Sequence, residues 1–188
     1  MENINPEYLL AREIIACDPG VSGGIAKWSD RIEVWNMPGS LDDLCDYFDY
    51  QKSICKNPLV ILEKVQLWQG DENNKQGQNV GRQFRIQKML NQYAELRSAI
   101  RSRGFQYIEV SPVSWQSFLS IRIKGEERVI RKRRFKDIAS DWYPSVKVTL
   151  NNADALLLVE FMRRKLKYNP LWVTQNIQKK SDKNLLSK

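Results

Sequence analysis

The sequence predicts one α/β domain built on a mixed five-stranded sheet, and three observations lead there. Three strand-like segments come first and read as an antiparallel meander. A continuous apolar run of strand length follows the first helical segment, and helical stripes fill most of the second half, giving the order βββαβα…βαα. A length of 188 residues suits one domain with a real core, or one domain plus a tail.

Each element has a local reason. EIIACD (13–18) is a short apolar run that ends at a carboxylate and meets Pro-Gly, which cannot continue a strand. GGIAKWS and RIEVWNM alternate apolar and polar residues, with SDR as the turn between them. In 41–53, Leu41, Leu44, Cys45 and Phe48 fall at helical spacing, Ser40 is the N-cap and Asp43 closes an approximate capping box. PLVILEKV (58–65) is apolar throughout, as a strand buried on both faces requires, and it too reaches a carboxylate, Glu63. Residues 66–79 are polar and contain glycine, which predicts a loop.

From about Val80 to Arg103 a stripe of Phe84, Ile86, Met89, Leu90, Tyr93, Leu96 and Ile100 predicts a long helix stopped by Gly104. FQYIEV (105–110) is the fifth strand, and VSWQSFL a short helix after it. ERVIRKRRFKDIASDWY (127–143) fits a basic helix ended by Pro144, and NADALLLVEFMRRKLK (152–167) an apolar one. Residues 1–173 are expected to form the domain and the lysine-rich stretch 174–188 a loose tail.

Composition excludes whole classes of chemistry. There is no histidine, which removes Ser-His-Asp hydrolases, Cys-His enzymes, HExxH proteases and His-metal nucleases. Cys17, Cys45 and Cys55 make no CxxC spacing, so reduced thiols are expected and a zinc site lacks ligands. No apolar run approaches the ~18–20 residues that span a bilayer. The first residues carry acidic flanks unlike a signal peptide, so an intracellular, cytoplasmic location is expected. Residues 1–72 carry 6 basic and 13 acidic residues, net −7, whereas 73–188 carry 24 and 9, net +15. Such a division suits a polyanion gripped by one part and acted on by another, although charge also serves solubility.

Three acids stand out in a chain with so few alternative catalytic groups. Asp18 and Glu63 end apolar strands, and Asp154 sits in the first turn of an apolar helix. Each has a structural reading too: Glu63 can mark a strand end, and Asp154 can complement the helix dipole. Together they offer the hard oxygen ligands that Mg²⁺ requires. Two such ions ~4 Å apart can activate water and stabilise the leaving oxygen in phosphodiester cleavage. Arg122, Lys124, Arg128, Arg131, Lys132, Arg133, Arg134 and Lys136 lie close together, opposed only by Glu126 and Glu127. That density suits phosphate contacts, the other reading being a solvated helix face. Arg82 and Arg85 open the long helix, where backbone N–H groups add to their attraction for phosphate. Trp68, in an otherwise polar loop, is placed to stack on an unpaired base or else to fold back on the core. Trp28, Trp35, Trp115, Trp142 and Trp172 fall in regular patterns and read as packing residues.

ACDPGVSGGIA, VILEKVQ and NNADALLLVEF, taken in order, resemble the RuvC-type Holliday junction resolvases of the RNase H-like superfamily, over roughly residues 12–165. The resemblance implies an RNase H-like fold and a nuclease that resolves four-way DNA junctions as a homodimer. It makes Asp18 the metal-bridging aspartate, Glu63 the second-strand ligand and Asp154 the ligand on the last helix. Two Mg²⁺ ions are implied, with Mn²⁺ able to substitute. Asn151 departs from the pattern, which has Asp or His there; its carbonyl oxygen can coordinate or orient water but carries no charge. Asn152 serves instead if the helix begins one residue later. Other readings stay open: an RNase H-like nuclease for another branched or hybrid substrate, or a non-catalytic branched-DNA-binding protein.

Overall fold

A computed structural model describes residues 12–20, 22–65 and 80–177, with backbone alone for 80–83. Strand β1 (Ile14–Asp18) pairs antiparallel with β2 (Gly24–Trp28), which pairs antiparallel with β3 (Ile32–Asn36). On its other side β1 runs parallel to β4 (Leu59–Glu63), and β4 runs parallel to β5 (Gln106–Val110). The sheet order is therefore β3-β2-β1-β4-β5, mixed as the sequence predicts. Helices α1 (Leu41–Ile54), α2 (Val80–Ser102), α3 (Pro112–Phe118), α4 (Arg128–Trp142), α5 (Ala153–Tyr168) and α6 (Pro170–Asn176) flank it.

Strand alternation divides the core in two. Ile15, Cys17, Ile25, Val60 and Leu62 point to one face, where Leu44 and Phe48 of α1 and Leu96, Ala99 and Ile100 of α2 cover them. Ile14, Ala16, Ala26, Leu59, Ile61 and Ile108 point to the other, under α5 and its neighbours. Helix α5 is buried from Ala153 to Val159 because it lies across the middle of the sheet, with α4 and α6 shielding its outer side. Burial on both faces explains why β1 and β4 read as continuous apolar runs. The three cysteines are free, and Cys17 is buried.

Most element boundaries fall where local chemistry puts them. Ser40 caps α1 by accepting the Asp43 N–H at 3.1 Å, and its hydroxyl donates to Asp43 Oδ2 at 2.7 Å. The acid thus returns to the cap's hydroxyl rather than to its backbone N–H, a variant of the capping box. The stripe on α2 is buried only at its C-terminal end: Leu96 and Ile100 are fully covered, whereas Phe84 is 71% exposed. A helix of 23 residues is about 35 Å long, twice the reach of the five-residue strands, so its first half overhangs the sheet. Helix α6 also continues to Asn176 with Val173 buried, so it crosses the expected start of the tail at 174. Its N-cap explains this, because Asn169 Oδ1 accepts the Trp172 N–H at 3.2 Å just before Pro170. Residues 178–188 lie outside the described residues.

Gly23 and Gly24 bring β2 against the turns that carry the acids. A Cβ on Gly23 would collide with the Asp18 carbonyl, and one on Gly24 would lie 2.8 Å from the Asn151 carbonyl oxygen and 3.0 Å from Asn152 Cα. The close approach here is protein backbone on protein backbone. Gly24→Ala should therefore destabilise the fold by about 1–3 kcal/mol, through strain between β2 and the entry to α5. Chemical denaturation checks this: an unchanged midpoint would mean that the loop yields freely.

Candidate metal centre

The three acids arrive from separate parts of the chain. Cys17 and Leu62 are partners in the parallel β1–β4 register, so the next residues, Asp18 and Glu63, leave the two strand ends side by side. Pro19 prevents β1 from continuing, and Gly20 turns the chain away with φ +130. Asp154 comes over the same sheet edge from the first turn of α5. One carboxylate oxygen from each of Asp18, Glu63 and Asp154 lies within 4.8 Å of the others.

The surroundings compensate for three negative charges in one place. Lys132 Nζ, from α4, donates to Asp154 Oδ2 at 2.8 Å and approaches Asp18 Oδ2 at 3.5 Å. Trp115 Nε1, from α3, donates to Glu63 Oε2 at 2.9 Å. Asp154 Oδ1 is buried with no hydrogen-bond partner. Burial, and then repulsion from Asp154, push the Asp18 carboxyl up from 3.8 to about 7, against the opposing pull of Lys132 and Arg128. Burial also holds Glu63 well above the usual range, reinforced by Asp18 and Asp154 and moderated by the Trp115 hydrogen bond. For Lys132 burial works the other way, but the acids outweigh it and raise the ammonium's pKa.

A divalent metal fits this donor set. The site offers anionic oxygens close enough to share one cation, an ammonium already attracted to the same place, and one buried oxygen still lacking a partner. Carboxylate oxygens are the ligands that hard divalent cations take.

The other candidate residues separate clearly. Asn151 lies just before α5, its backbone N–H 3.3 Å from Thr149 Oγ1. Asn152 is committed elsewhere: its Oδ1 accepts the Thr149 N–H at 2.8 Å and its Nδ2 donates to the Lys147 carbonyl at 3.2 Å, which shapes the entry to α5. Arg134 makes a two-pronged pair with Glu126. Arg133 is exposed and Arg131 and Lys136 are half-buried, with no ion pair to any of them among the described residues. Arg85 is exposed on α2, while Trp68 and the side chain of Arg82 lie outside the described residues.

Two residues at the centre were not foreseen in these roles. Trp115 was expected to pack; it does, against Phe135, but it also binds Glu63. The available signal was its indole N–H, which needs a partner once buried. Lys132 was grouped with the phosphate-facing cations, and nothing in the spacing of that run separates it from its neighbours.

No family model matches the sequence, and neither does any curated protein. The solved structures do give matches. The complex described as T. thermophilus RuvC with a Holliday junction substrate superposes with a TM-score of 0.54 at 10% identity, over 89% of this chain and 98% of that one. A second Thermus thermophilus RuvC structure gives 0.48 at 10% identity, over 88% of this chain and 98% of that one. The chain has a RuvC-like fold. Within that fold the acids stand at the strand ends and at the start of α5.

Two expected outcomes follow from the charge balance. With an Asp18 pKa of about 7 in the fold against 3.8 for an ordinary aspartate, the folded state binds more protons between those values. Stability of the metal-free protein should therefore fall as pH rises through that window, and Asp18→Asn should weaken the fall. Thermal melts in EDTA across that range check it, and a slope of the opposite sign would refute it. Trp115→Phe removes a hydrogen bond that favours the Glu63 carboxylate, so Glu63 should lose its proton only at higher pH. The acidic limb of metal binding, followed by calorimetry, should move upward in pH.

Proposed function

We propose that this protein is a metal-dependent, structure-selective endonuclease that resolves four-way (Holliday) DNA junctions by phosphodiester hydrolysis. The observation that carries the reading is the carboxylate triad, two of its members buried, in a RuvC-like fold. Asp18, Glu63 and Asp154 would hold Mg²⁺ or Mn²⁺, as a pair of ions, supplying an activated water and charge stabilisation at the leaving oxygen. Trp115 fixes the Glu63 carboxylate through a single hydrogen bond. Lys132 neutralises Asp18 and Asp154 in the resting site, and its flexible stem lets the same charge turn to a phosphate oxygen. Arg131, Arg133 and Lys136, which make no ion pair among the described residues, offer charge for the DNA backbone, with Arg82 and Arg85 on α2 as further contacts. Trp68 is proposed to stack on an unpaired base near the branch. Hydrolysis puts the water oxygen on phosphorus and a proton on the departing 3′ oxygen, leaving 5′-phosphate and 3′-hydroxyl ends.

Two matched cuts in a symmetric junction call for a two-fold homodimer. The overhanging half of α2, with Phe84 exposed, supports it as the dimer seam. The nuclease unit, expected from the sequence as residues 1–173, is taken to include the rest of α6 to Asn176, acting on DNA inside the cell. One observation favours a second reading, a branched-DNA binder without catalysis: Asn151 stands where the family pattern has an acid or histidine.

Labelled four-way junction, linear duplex and RNA–DNA hybrid incubated with Mg²⁺ or Mn²⁺ separate these readings. Metal-dependent cutting of the junction alone is expected. Asp18→Asn, Glu63→Gln and Asp154→Asn should each reduce it at least ~100-fold while junction binding survives, because each removes a ligand and spares the basic surface. Asn151→Asp should preserve or raise activity. Junction binding with no cutting under either metal would select the non-catalytic reading, and preferential cutting of the hybrid would move the substrate class.

A further inference from the structure

The loop between α3 and α4 is tied down at both ends and exposed at its tip. At its start Ile121 is buried and donates its N–H to the Gln116 carbonyl at 3.0 Å, after Ser120 turns the chain with φ 59. At its end the Glu126 carboxylate takes both prongs of Arg134, at 2.8 and 2.7 Å, and Gly125 turns with φ 80. Between these anchors stand Arg122, Ile123 and Lys124, all exposed, with Ile123 54% exposed. One turn of chain further on, Val129 and Ile130 at the start of α4 are 62% and 55% exposed.

Both anchors belong to elements that touch the carboxylates. Gln116, which holds the start of the loop, follows Trp115, which holds Glu63. Arg134, which holds its end, is two residues beyond Lys132, which bridges Asp18 and Asp154. The loop thus joins the two helices whose Trp115 and Lys132 contact the carboxylates. An isoleucine left in water there gains nothing from folding, and its flanking cations repel a second copy of the same patch. A polyanion with an apolar interior that opens at its edge matches both features. Nucleic acid has that chemistry, with phosphates outside and a base stack accessible where the duplex is interrupted.

We propose that Ile123 is an aliphatic wedge that enters the base stack at the branch point of the DNA while Arg122 and Lys124 hold the flanking phosphates. The inference rests on the branched-DNA reading above and adds how branch is told from duplex. Unstacking an intact duplex is costly, whereas the stack at a branch is already interrupted. Insertion therefore favours the branch, and the cations serve any DNA equally.

The test uses the full chain in EDTA, so that no cutting occurs, with a four-way junction carrying 2-aminopurine beside the branch and a linear duplex of the same sequence. The wild-type protein should prefer the junction and raise its fluorescence a few-fold, leaving duplex fluorescence unchanged. Ile123→Ser should lose roughly ten-fold of that preference, the contribution of one buried aliphatic side chain, together with the fluorescence rise. Ile123→Leu should retain both. Thermal midpoints of the variants should match the wild type, since the side chain is exposed. A fluorescence rise in Ile123→Ser equal to wild type overturns the wedge alone. A wild-type protein that binds junction and duplex equally overturns the branched-DNA reading and the wedge with it. Altered self-association of Ile123→Ser in sedimentation, with DNA opening unchanged, assigns the side chain to a protein contact instead.

Discussion

Three carboxylates within 4.8 Å of one another, two of them buried, repel each other and resist the loss of water. Much of the neighbouring structure makes that arrangement tolerable. The β1–β4 register sets Asp18 beside Glu63, the close backbone contact at Gly24 holds the entry of α5 against β2, and α5 delivers Asp154. Lys132 and Arg128 supply positive charge, and Trp115 supplies a hydrogen bond that costs no charge. Even so, Asp18 and Glu63 stay raised, which means the metal-free fold carries unfavourable charge. A divalent cation would relieve it, coupling stability to metal binding.

The same two helices connect this centre to the outer surface. Each touches the carboxylates with one residue, Trp115 from α3 and Lys132 from α4, and anchors the 119–127 loop with another close by. On the proposed reading, DNA pressing on the loop tip would press on the elements that position the acids. Lys132 has a double relation, drawn inward by Asp18 and Asp154 yet belonging to a helix on which its neighbour Arg133 is exposed. If the protein binds DNA as proposed, the acids and an incoming phosphate would compete for that one ammonium.

What was legible in the chain was local. A strand that ends at a carboxylate before Pro-Gly, a capped helix and a helix of unbroken apolar residues all follow from interactions among near neighbours. These were enough to predict the mixed sheet and to single out Asp18, Glu63 and Asp154. Their convergence was suggested by resemblance rather than by periodicity. It became a definite geometry only when β1, β4 and α5 were brought to one edge.

Tertiary structure decided what the periodic patterns leave undetermined. The stripe on α2 is uniform in sequence, yet Leu96 is covered and Phe84 is not, because the strands beneath are half the helix's length. Asn151 and Asn152 are indistinguishable by type, and only the turn into α5 commits the second to Lys147 and Thr149. Eight cations within fifteen residues look alike in sequence, but one bridges Asp18 and Asp154 and another is locked to Glu126. Trp115 and Glu63 are 52 positions apart, so no spacing rule relates them. The sequence by itself determined which residues can form strands, helices and metal ligands, since those properties depend on neighbours a few positions away. Which charge is buried, which is shared and which faces outward depends on contacts across the whole chain, and only the folded structure supplies them.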